Sequence, residues 1–388
     1  MKICLSVLAL SAGLLAAACG GTAAPVSAPP ASPAPASATT GSPKPAAASS
    51  SASASGSQAT SAAPAASSPA TSSSAPGNAA AAGSPAAPAS GKVYIVGISQ
   101  LVTHPSIEAT IKGIKEGMTQ SGFIEGTNVK YLVENAQGQV NNARAIAEKF
   151  DSEKPDLIVP LTTPNSQAMV KVVKDRPVVF GMVTDPVQAG LVPSYDKPSG
   201  TNVTGVYNFN PVEQQFDDFH LMVPAAKTVG LLFNTSEDNS VVLINKGKAE
   251  APKVGLKTID ATVASSNDVL NAAQSLVGRA DAIYVPQDNT VVSAFDAVMK
   301  VANANKLPVF AGAPEQVQAG AILTVAYSQE DMGIQIGKLM AQVLRGANPG
   351  SLAPQQPDKT ELDLHKKAAD QLGLTIPDTL LKQAAQVY

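Results

Sequence analysis

Short apolar runs that end in polar residues or proline recur along most of the chain. The clearest is Asp156-Leu-Ile-Val-Pro-Leu161, which is followed by the polar turn Thr162 to Ser166 and a helical pattern from Gln167 to Lys174. The run is too short for a helix and is bounded by turn residues, which predicts a strand buried on both faces. Thr163 is suited to the N-cap of the helix, with Pro164 as its first residue. The free N–H groups of such a helix start favour an anion such as a carboxylate.

The same alternation of strand and helix patterns extends from Gly91 to Tyr388. Val93 to Ile98 predicts a strand, and Ser106 to Gln120 predicts an amphipathic helix that ends near Gly122. Such alternation is typical of a doubly wound parallel α/β sheet, which binds ligands at the carboxyl ends of its strands. The candidate ligand-binding residues in these turns and helix starts are Gln100, Thr103, Thr162, Thr163, Asn165, Ser166, Thr184, Asp185, Asn208, Asn239, Ser240, Asp288, Asn289 and Glu315.

An internal repeat indicates that the body of the chain contains two similar α/β lobes. Asp156-Leu-Ile-Val-Pro160 matches Asp281-Ala-Ile-Tyr-Val-Pro286, and Arg176-Pro-Val-Val-Phe-Gly181 matches Leu307-Pro-Val-Phe-Ala-Gly312. The spacing between the copies is far longer than that of a solenoid repeat. We therefore predict two doubly wound lobes with a ligand cleft between them.

The first ninety residues have a different character from the body. Residues 1–18 contain Lys2 and an apolar run with a small-residue ending, which predicts a signal peptide. Cys19 at the end of that run is typical of a bacterial lipoprotein and is the predicted site of lipidation. Residues 19–90 are rich in Ala, Ser and Pro, with Lys44 as their only charge, which predicts a disordered tether to the membrane.

Composition argues against several classes of function. Apart from Cys4 in the predicted signal peptide and Cys19, the chain has no thiol for a disulfide, a zinc site or a nucleophile. Its three histidines are not spaced with a serine and a carboxylate as in a catalytic triad, and no Walker-type loop or metal-ligand cluster is present. The formal net charge of −3, without a basic patch, argues against nucleic acid. We therefore expect a binding protein without a cofactor or metal.

Nine short motifs are distributed over the body of the chain, and their combination is specific although each alone is weak. The motifs are Val96-Gly-Ile-Ser-Gln100, Thr103-His-Pro105, Asn135-Ala-Gln-Gly138, Thr163-Pro164, Val183-Thr-Asp-Pro186, Asn202-Val-Thr-Gly205, Pro211-Val-Glu-Gln-Gln215, Ala273-Gln-Ser-Leu276 and Val285-Pro-Gln-Asp-Asn-Thr-Val-Val292. Through them the body resembles the ABC-transporter substrate-binding protein family that includes tryptophan-binding and other aromatic-amino-acid-binding lipoproteins.

This resemblance implies a type I periplasmic-binding-protein fold, in which two lobes joined by three hinge crossovers close on a small ligand. On that basis residues 91–207 plus 325–348 form lobe 1, and residues 208–324 plus 349–388 form lobe 2. The crossovers are expected near residues 206–210, near 323–327 and between 346 and 354. The resemblance also implies an exported, lipid-anchored monomer that delivers an amino acid, most readily an aromatic one, to an ABC permease.

An amino-acid ligand needs partners for both of its charges. The turn Thr162 to Ser166 is the candidate for the carboxylate, and Asp185 or Asp288 for the ammonium, although either Asp is equally suited to capping a helix. The scarcity of aromatic residues argues against a sugar site. Phe180, Tyr207, Phe209 and Tyr284 are available to an apolar side chain, but a place in the core is the simpler interpretation. A tethered sensor of a membrane receptor is the alternative to uptake.

Overall fold

The computed structural model describes residues 91–388, whose first half forms a five-stranded parallel sheet. Its strands are β1 Tyr94–Gln100, β2 Val129–Asn135, β3 Leu157–Pro160, β4 Val178–Val183 and β5 Val203–Tyr207. Their order across the sheet is β2-β1-β3-β4-β5.

The second half forms a seven-stranded sheet. Its strands are β6 Thr228–Asn234, β7 Lys257–Val263, β8 Ala282–Val285, β9 Val309–Ala311, β10 Leu323–Ala326, β11 Glu361–Leu364 and β12 Gln386–Val387. The order is β12-β11-β10-β9-β8-β6-β7, with β11 antiparallel to β10 and the other pairs parallel. The run β7-β6-β8-β9-β10 repeats the order of the first sheet, so the predicted pair of similar α/β lobes is confirmed.

Twelve α-helices connect these strands within the described range. They are α1 Pro105–Gln120, α2 Val140–Glu153, α3 Thr163–Val172, α4 Val212–Met222, α5 Asp238–Glu250, α6 Val269–Ser275, α7 Asn289–Val292, α8 Phe295–Asn305, α9 Pro314–Gln318, α10 Gln329–Leu344, α11 Lys366–Leu372 and α12 Asp378–Gln383. Lobe 1 is the first sheet with α1, α2, α3 and α10. Lobe 2 is the second sheet with the remaining helices.

Each sheet has an apolar cluster on both of its faces, as a doubly wound sheet requires. All four residues of β3 are buried, which explains why its sequence is continuously apolar. In lobe 2 the aromatic rings of Phe219 and Phe310 stack with their centroids 4.3 Å apart, and Phe216 contacts Phe310 edge-on. Phe180 and Tyr284, two of the aromatic candidates for ligand contact, are fully buried in these clusters.

The chain crosses between the lobes three times, and the first two crossovers lie where they are predicted. They connect β5 to α4 and β10 to α10, so that residues 325 and 326 belong to the second sheet and not to lobe 1.

The third crossover was predicted between residues 346 and 354, and this position is wrong. That segment is held on lobe 1, because Gly200 N donates to Gly350 O at 2.9 Å and Gln355 N donates to Gly205 O at 2.8 Å. The hydroxyl of Thr204 adds a bond to Leu352 O at 3.2 Å. The chain passes to lobe 2 only between Gln355 and β11, because its backbone first satisfies the free edge of β5.

The predicted signal peptide, Cys19 and the tether lie outside the described residues. Within residues 91–388, no helix combines the length and the apolar character needed to cross a membrane.

Helix α10 follows a lobe 2 strand but packs on lobe 1, against α1. Four glycines make this contact possible: a Cβ at Gly113 or Gly117 would collide with the carbonyl oxygens of Glu330 and Ile334, and one at Gly333 or Gly337 would collide with those of Thr110 and Ile114. The two helix backbones therefore touch directly. Rigid backbone atoms, unlike the end of a flexible side chain, cannot rotate away from an added methyl group.

We predict that Gly117→Ala destabilises the protein. Overpacking of a tight contact costs about 1–3 kcal/mol, which exceeds the gain of about 1 kcal/mol that alanine brings to a helix. Thermal or urea unfolding measures the difference, with the exposed Thr119→Ala on the same helix as the control. A Gly117→Ala protein as stable as the parent would show that α1 and α10 separate more easily than the contact implies.

Candidate ligand-binding site

A cavity lies between the lobes and is lined by residues from both of them. Both sheets direct the carboxyl ends of their strands toward it. The residues that line it are His104, Ser106, Thr162, Met182, Thr184, Asn208, Asn239, Gln287, Asp288, Asn289, Val292, Ala313 and Gln329.

The sheet order places these side chains in a row along each lobe. In lobe 1, His104 follows β1, Thr162 follows β3, Thr184 follows β4 and Asn208 follows β5. In lobe 2 the lining comes from the segments after β6, β8 and β9, and Gln329 is added from the start of α10. Neighbouring strands are about 4.8 Å apart, so the lobe 1 row from β1 to β5 extends over roughly 14 Å. The cavity is thus elongated across the strands.

The backbone at Thr162 is strained. Its φ of 77° and ψ of 159° fall in a region that is almost restricted to glycine. Met182, also in the cavity wall, has a φ of 55°. Helix α3 begins at Thr163, so the prediction of Thr163 as N-cap is wrong by one residue. Thr162 holds the N-cap position without capping through its side chain, which leaves its hydroxyl available to the cavity.

Many polar atoms of the cavity wall have no hydrogen-bond partner among residues 91–388. Six of the lining residues contribute one each: His104 Nδ1, Thr162 Oγ1, Asn208 Oδ1, Asn239 Oδ1, Gln287 Oε1 and Gln329 Oε1. A buried polar group left without a partner costs about 1–3 kcal/mol. Such a concentration in one cavity is typical of a site whose partner is a polar ligand.

Two buried carboxylates stand side by side at the lobe 2 wall. Asp288 accepts from Asn234 N at 2.6 Å and from Val291 N at 2.8 Å. Glu237, which is 3% exposed, accepts from Asn289 N and Thr290 N. The pKa of Asp288 is raised to about 7, mainly by burial and secondly by the charge of Glu237. Asp288 therefore caps α7 and also lines the cavity, so the two roles proposed from the sequence are compatible.

His104 is neutral at physiological pH. Burial lowers the pKa of its imidazole to about 4. A hydrogen bond with Asn289 raises the pKa, but by less than burial lowers it. The residue is 7% exposed, and it lies where the cavity meets an outer groove lined by Thr103, Phe295 and Glu315. A neutral imidazole presents one donor and one acceptor, so it adds polarity to the cavity without adding charge.

The lobes are held close to each other by hydrogen bonds across the cleft. Ser106 Oγ of lobe 1 donates to Glu315 Oε2 of lobe 2 at 2.8 Å, and Gln167 Nε2 of lobe 1 donates to Asp238 Oδ2 of lobe 2 at 2.8 Å. The structure is therefore a closed form.

Six of the fourteen candidate residues line the cavity: Thr162, Thr184, Asn208, Asn239, Asp288 and Asn289. Thr163, Asn165, Ser166 and Ser240 support it from behind, since Thr163 Oγ1 accepts from Thr184 N, Asn165 bonds to Ser99, Ser166 bonds back to Thr162, and Ser240 bonds to Asp288. Gln100 is buried outside the lining.

Three candidates do not reach the cavity. Thr103 and Glu315 line the outer groove instead. Asp185 was a candidate partner for an ammonium, but its carboxylate accepts from Val187 N, from Gln188 N and from the hydroxyl of Tyr195. All three donors bond to Oδ1 of Asp185, and the residue is not among those that line the cavity.

The sequence did not identify several lining residues: His104, Ser106, Met182, Gln287, Val292, Ala313 and Gln329. His104 and Ser106 follow β1, and Gln329 follows β10, so the strand-end rule that identified their neighbours also applied to them. The aromatic candidates Tyr207 and Phe209 lie together in a different groove, beside the first crossover. No aromatic residue is among those lining the cavity.

Two lobes joined by three crossovers, with an enclosed polar cleft, define a ligand-binding protein that closes on a small molecule. The family model described as ABC transporter substrate binding protein matches residues 95–388. The chain belongs to this family, which comprises binding proteins and not enzymes. A curated relative, the tyrosine-binding protein of Clostridioides difficile (strain R20291), is 36% identical over 299 residues, which are 74% of this chain and 86% of the relative.

Solved structures place the chain in the same group. The ABC domain from Streptococcus pneumoniae in complex with L-Trp is 34% identical, with a TM-score of 0.74, and covers 76% of this chain and all of that one. The ligand-free, open structure of a substrate-binding protein with adhesive properties from Clostridium difficile is 35% identical and covers 76% of this chain and 99% of that one, but its TM-score is 0.58. Since identity and coverage are nearly equal, the difference agrees with a closed arrangement of the lobes.

We predict that the strain at Thr162 is measurable by comparing two variants. Thr162→Ala removes the hydroxyl and keeps the strained φ, whereas Thr162→Gly removes both. A sparsely populated backbone conformation costs about 1–3 kcal/mol, so the glycine variant should unfold at the higher temperature of the two. Equal melting temperatures would mean that the backbone relaxes at this position.

Proposed function

We propose that the protein is an extracytoplasmic substrate-binding protein that captures an aromatic amino acid by hinge closure and delivers it to an ABC permease. The family supports the transport role, and the tyrosine-binding relative and the L-Trp complex support the ligand class. Since the family name refers to transporters, uptake is favoured over a sensory role.

The single observation that carries this proposal is the closed polar cavity with Asp288 in its wall. Asp288 accepts one backbone N–H on each oxygen and a bond from the Ser240 hydroxyl, and a carboxylate has about four acceptor sites, so it retains one for an ammonium. The hydroxyl of Thr162 and the N-terminal end of α3 behind it favour the carboxylate of the same ligand. Met182, Val292 and Ala313 supply apolar contacts for the side chain.

Closure follows from the same arrangement. The ligand contacts lobe 1 through Thr162 and lobe 2 through Asp288, and both contacts exist only when the lobes approach each other. A ligand shifts a conformational equilibrium by its difference in affinity for the two states. An amino acid that bridges the two rows therefore favours the closed form.

We predict that binding of L-tyrosine or L-tryptophan weakens below pH 7. Asp288 must be ionised to pair with the ammonium, and burial together with the charge of Glu237 raises its pKa to about 7. Affinity measured by calorimetry should fall by roughly tenfold for each pH unit below that value. The stability of the protein without ligand has the opposite pH dependence. Because the pKa of Asp288 in the folded protein lies above the ordinary value of an aspartate, this group favours folding at low pH, and its contribution is lost as pH rises through 7.

Asp288→Asn should bind more weakly, by roughly ten- to a hundred-fold, and should lose the pH dependence. Asp185→Asn is the matched control, because its carboxylate faces the turn and Tyr195, and it should bind like the parent protein. If neither amino acid binds at any pH, the ligand class is wrong. If Asp185→Asn alone loses binding, the ammonium assignment is wrong.

We further propose that Cys19 is lipidated after removal of residues 1–18, and that residues 19–90 connect this anchor to the binding body. The small-residue ending before Cys19 and the nearly uncharged tether support the proposal. Labelling of cells with a fatty-acid analogue should mark the parent protein and not Cys19→Ser. Release of unlabelled parent protein into the medium would contradict it.

A further inference from the structure

The cavity wall contains an acidic side chain and no lysine or arginine. Of the thirteen lining residues, Asp288 is the only acidic one, His104 is neutral at physiological pH, and neither lysine nor arginine is present. The second carboxylate, Glu237, lies directly behind Asp288. Among residues 91–388, no basic side chain forms an ion pair with either of them.

Asn239 adds an independent sign that this wall receives a donor. Its Nδ2 donates to Gln287 O at 2.8 Å and to Glu237 Oε2 at 3.2 Å, and these two acceptors fix the orientation of the amide. Its Oδ1 consequently remains an acceptor, and it has no donor within the described residues. The residue is only 4% exposed. An acceptor buried in this way beside two carboxylates requires a donor from the ligand.

An ammonium group fits this wall, because it has three donors and no acceptor. Asp288 provides the charge and Asn239 Oδ1 a further acceptor, while Glu237 strengthens the negative potential from behind. Burial reduces the screening of these charges. The ammonium is thus recognised through charge-assisted bonds, which are about twice as strong as neutral ones.

The site offers the carboxyl end of the ligand no charged partner. The partners available to a carboxylate are the hydroxyl of Thr162 and the N-terminal end of α3 behind it, which carries a partial charge only. The hydroxyl also bonds to the neutral carbonyl oxygen of an amide or ester. The negative potential of Asp288 and Glu237 also opposes a second negative charge in the cavity.

We propose that the cleft requires the ammonium group of its ligand but not the ligand's carboxylate charge, so that aromatic primary amines with a neutral carboxyl end, such as amino-acid amides, are also ligands. This inference rests on the proposed function. The cleft therefore accepts ligands whose carboxyl end differs from that of a free amino acid, but it excludes ligands that lack the ammonium group.

Calorimetry with three matched compounds tests the inference: L-tyrosine, L-tyrosinamide and 3-(4-hydroxyphenyl)propionate, which lacks the amine. The amide should bind within roughly tenfold of tyrosine, because neutral hydrogen bonds are retained. The desamino acid should lose more than about a hundred-fold, since Asp288 and Asn239 would lack their donor. An amide that binds as poorly as the desamino acid would overturn the inference.

The variant Asn239→Leu supplies a second measurement. It should weaken tyrosine and tyrosinamide to the same extent, by roughly tenfold, because both present the same ammonium. Asn305→Leu, remote from the cavity on α8, is the matched control and should bind like the parent. Loss of affinity for only one of the two ligands would contradict the placement of the ammonium at Asn239. If tyrosine and tryptophan themselves fail to bind, it is the proposed function that fails.

Discussion

The contact between α1 and α10 is the constraint on which the two-lobed arrangement depends. Helix α10 leaves the second sheet at the end of β10, yet it is bound to the first lobe along its length through the glycines of both helices. The second crossover is therefore fixed to lobe 1 on one side and to the core of lobe 2 on the other. The third crossover is fixed in the same way by the hydrogen bonds of residues 350–355 to β5. With the chain tied at these points, the freedom that remains to the lobes is a change in the angle between them.

That freedom explains why the cleft can hold so many unpaired polar atoms. In an open form water reaches the cavity wall and satisfies these groups. In the closed form the same groups are buried, and each lacks a partner at a cost of about 1–3 kcal/mol. The penalty opposes closure of the empty protein, and a polar ligand removes it by supplying the missing partners. The polar lining therefore couples closure to occupancy as well as binding the ligand.

The fold was largely predictable because its signals are local. The strand β3 is apolar throughout because both of its faces are buried, and this shows directly in four consecutive residues. The repeat around Asp156 and Asp281 also has a structural cause: each carboxylate accepts backbone N–H groups next to the first strand of its lobe, from Ile95 in lobe 1 and from Thr228 in lobe 2. The repeated motif thus makes the same connection in each sheet.

The site was only partly predictable, because its composition depends on contacts between distant segments. Asp185 and Asp288 follow buried strands in similar sequence contexts. The hydroxyl of Tyr195, ten residues away along the chain, donates to the carboxylate of Asp185, whereas the neighbour of Asp288 is the carboxylate of Glu237. No local pattern distinguishes the two. The third crossover escaped prediction for a related reason, since residues 350–355 bind to lobe 1 through backbone groups that leave no mark in the sequence.

The direct contacts between the lobes are too weak to hold the closed form by themselves. The bond from Gln167 to Asp238 is exposed to water, and the one from Ser106 to Glu315 is partly buried. Bonds of this kind contribute about 1 kcal/mol each after competition with water, which is comparable to the cost of one unpaired polar atom in the cavity. The summed cost of six unpaired atoms therefore exceeds the stabilisation from two bonds between the lobes. The contacts between the lobes therefore set the orientation in which the protein closes, and the ligand decides whether it remains closed.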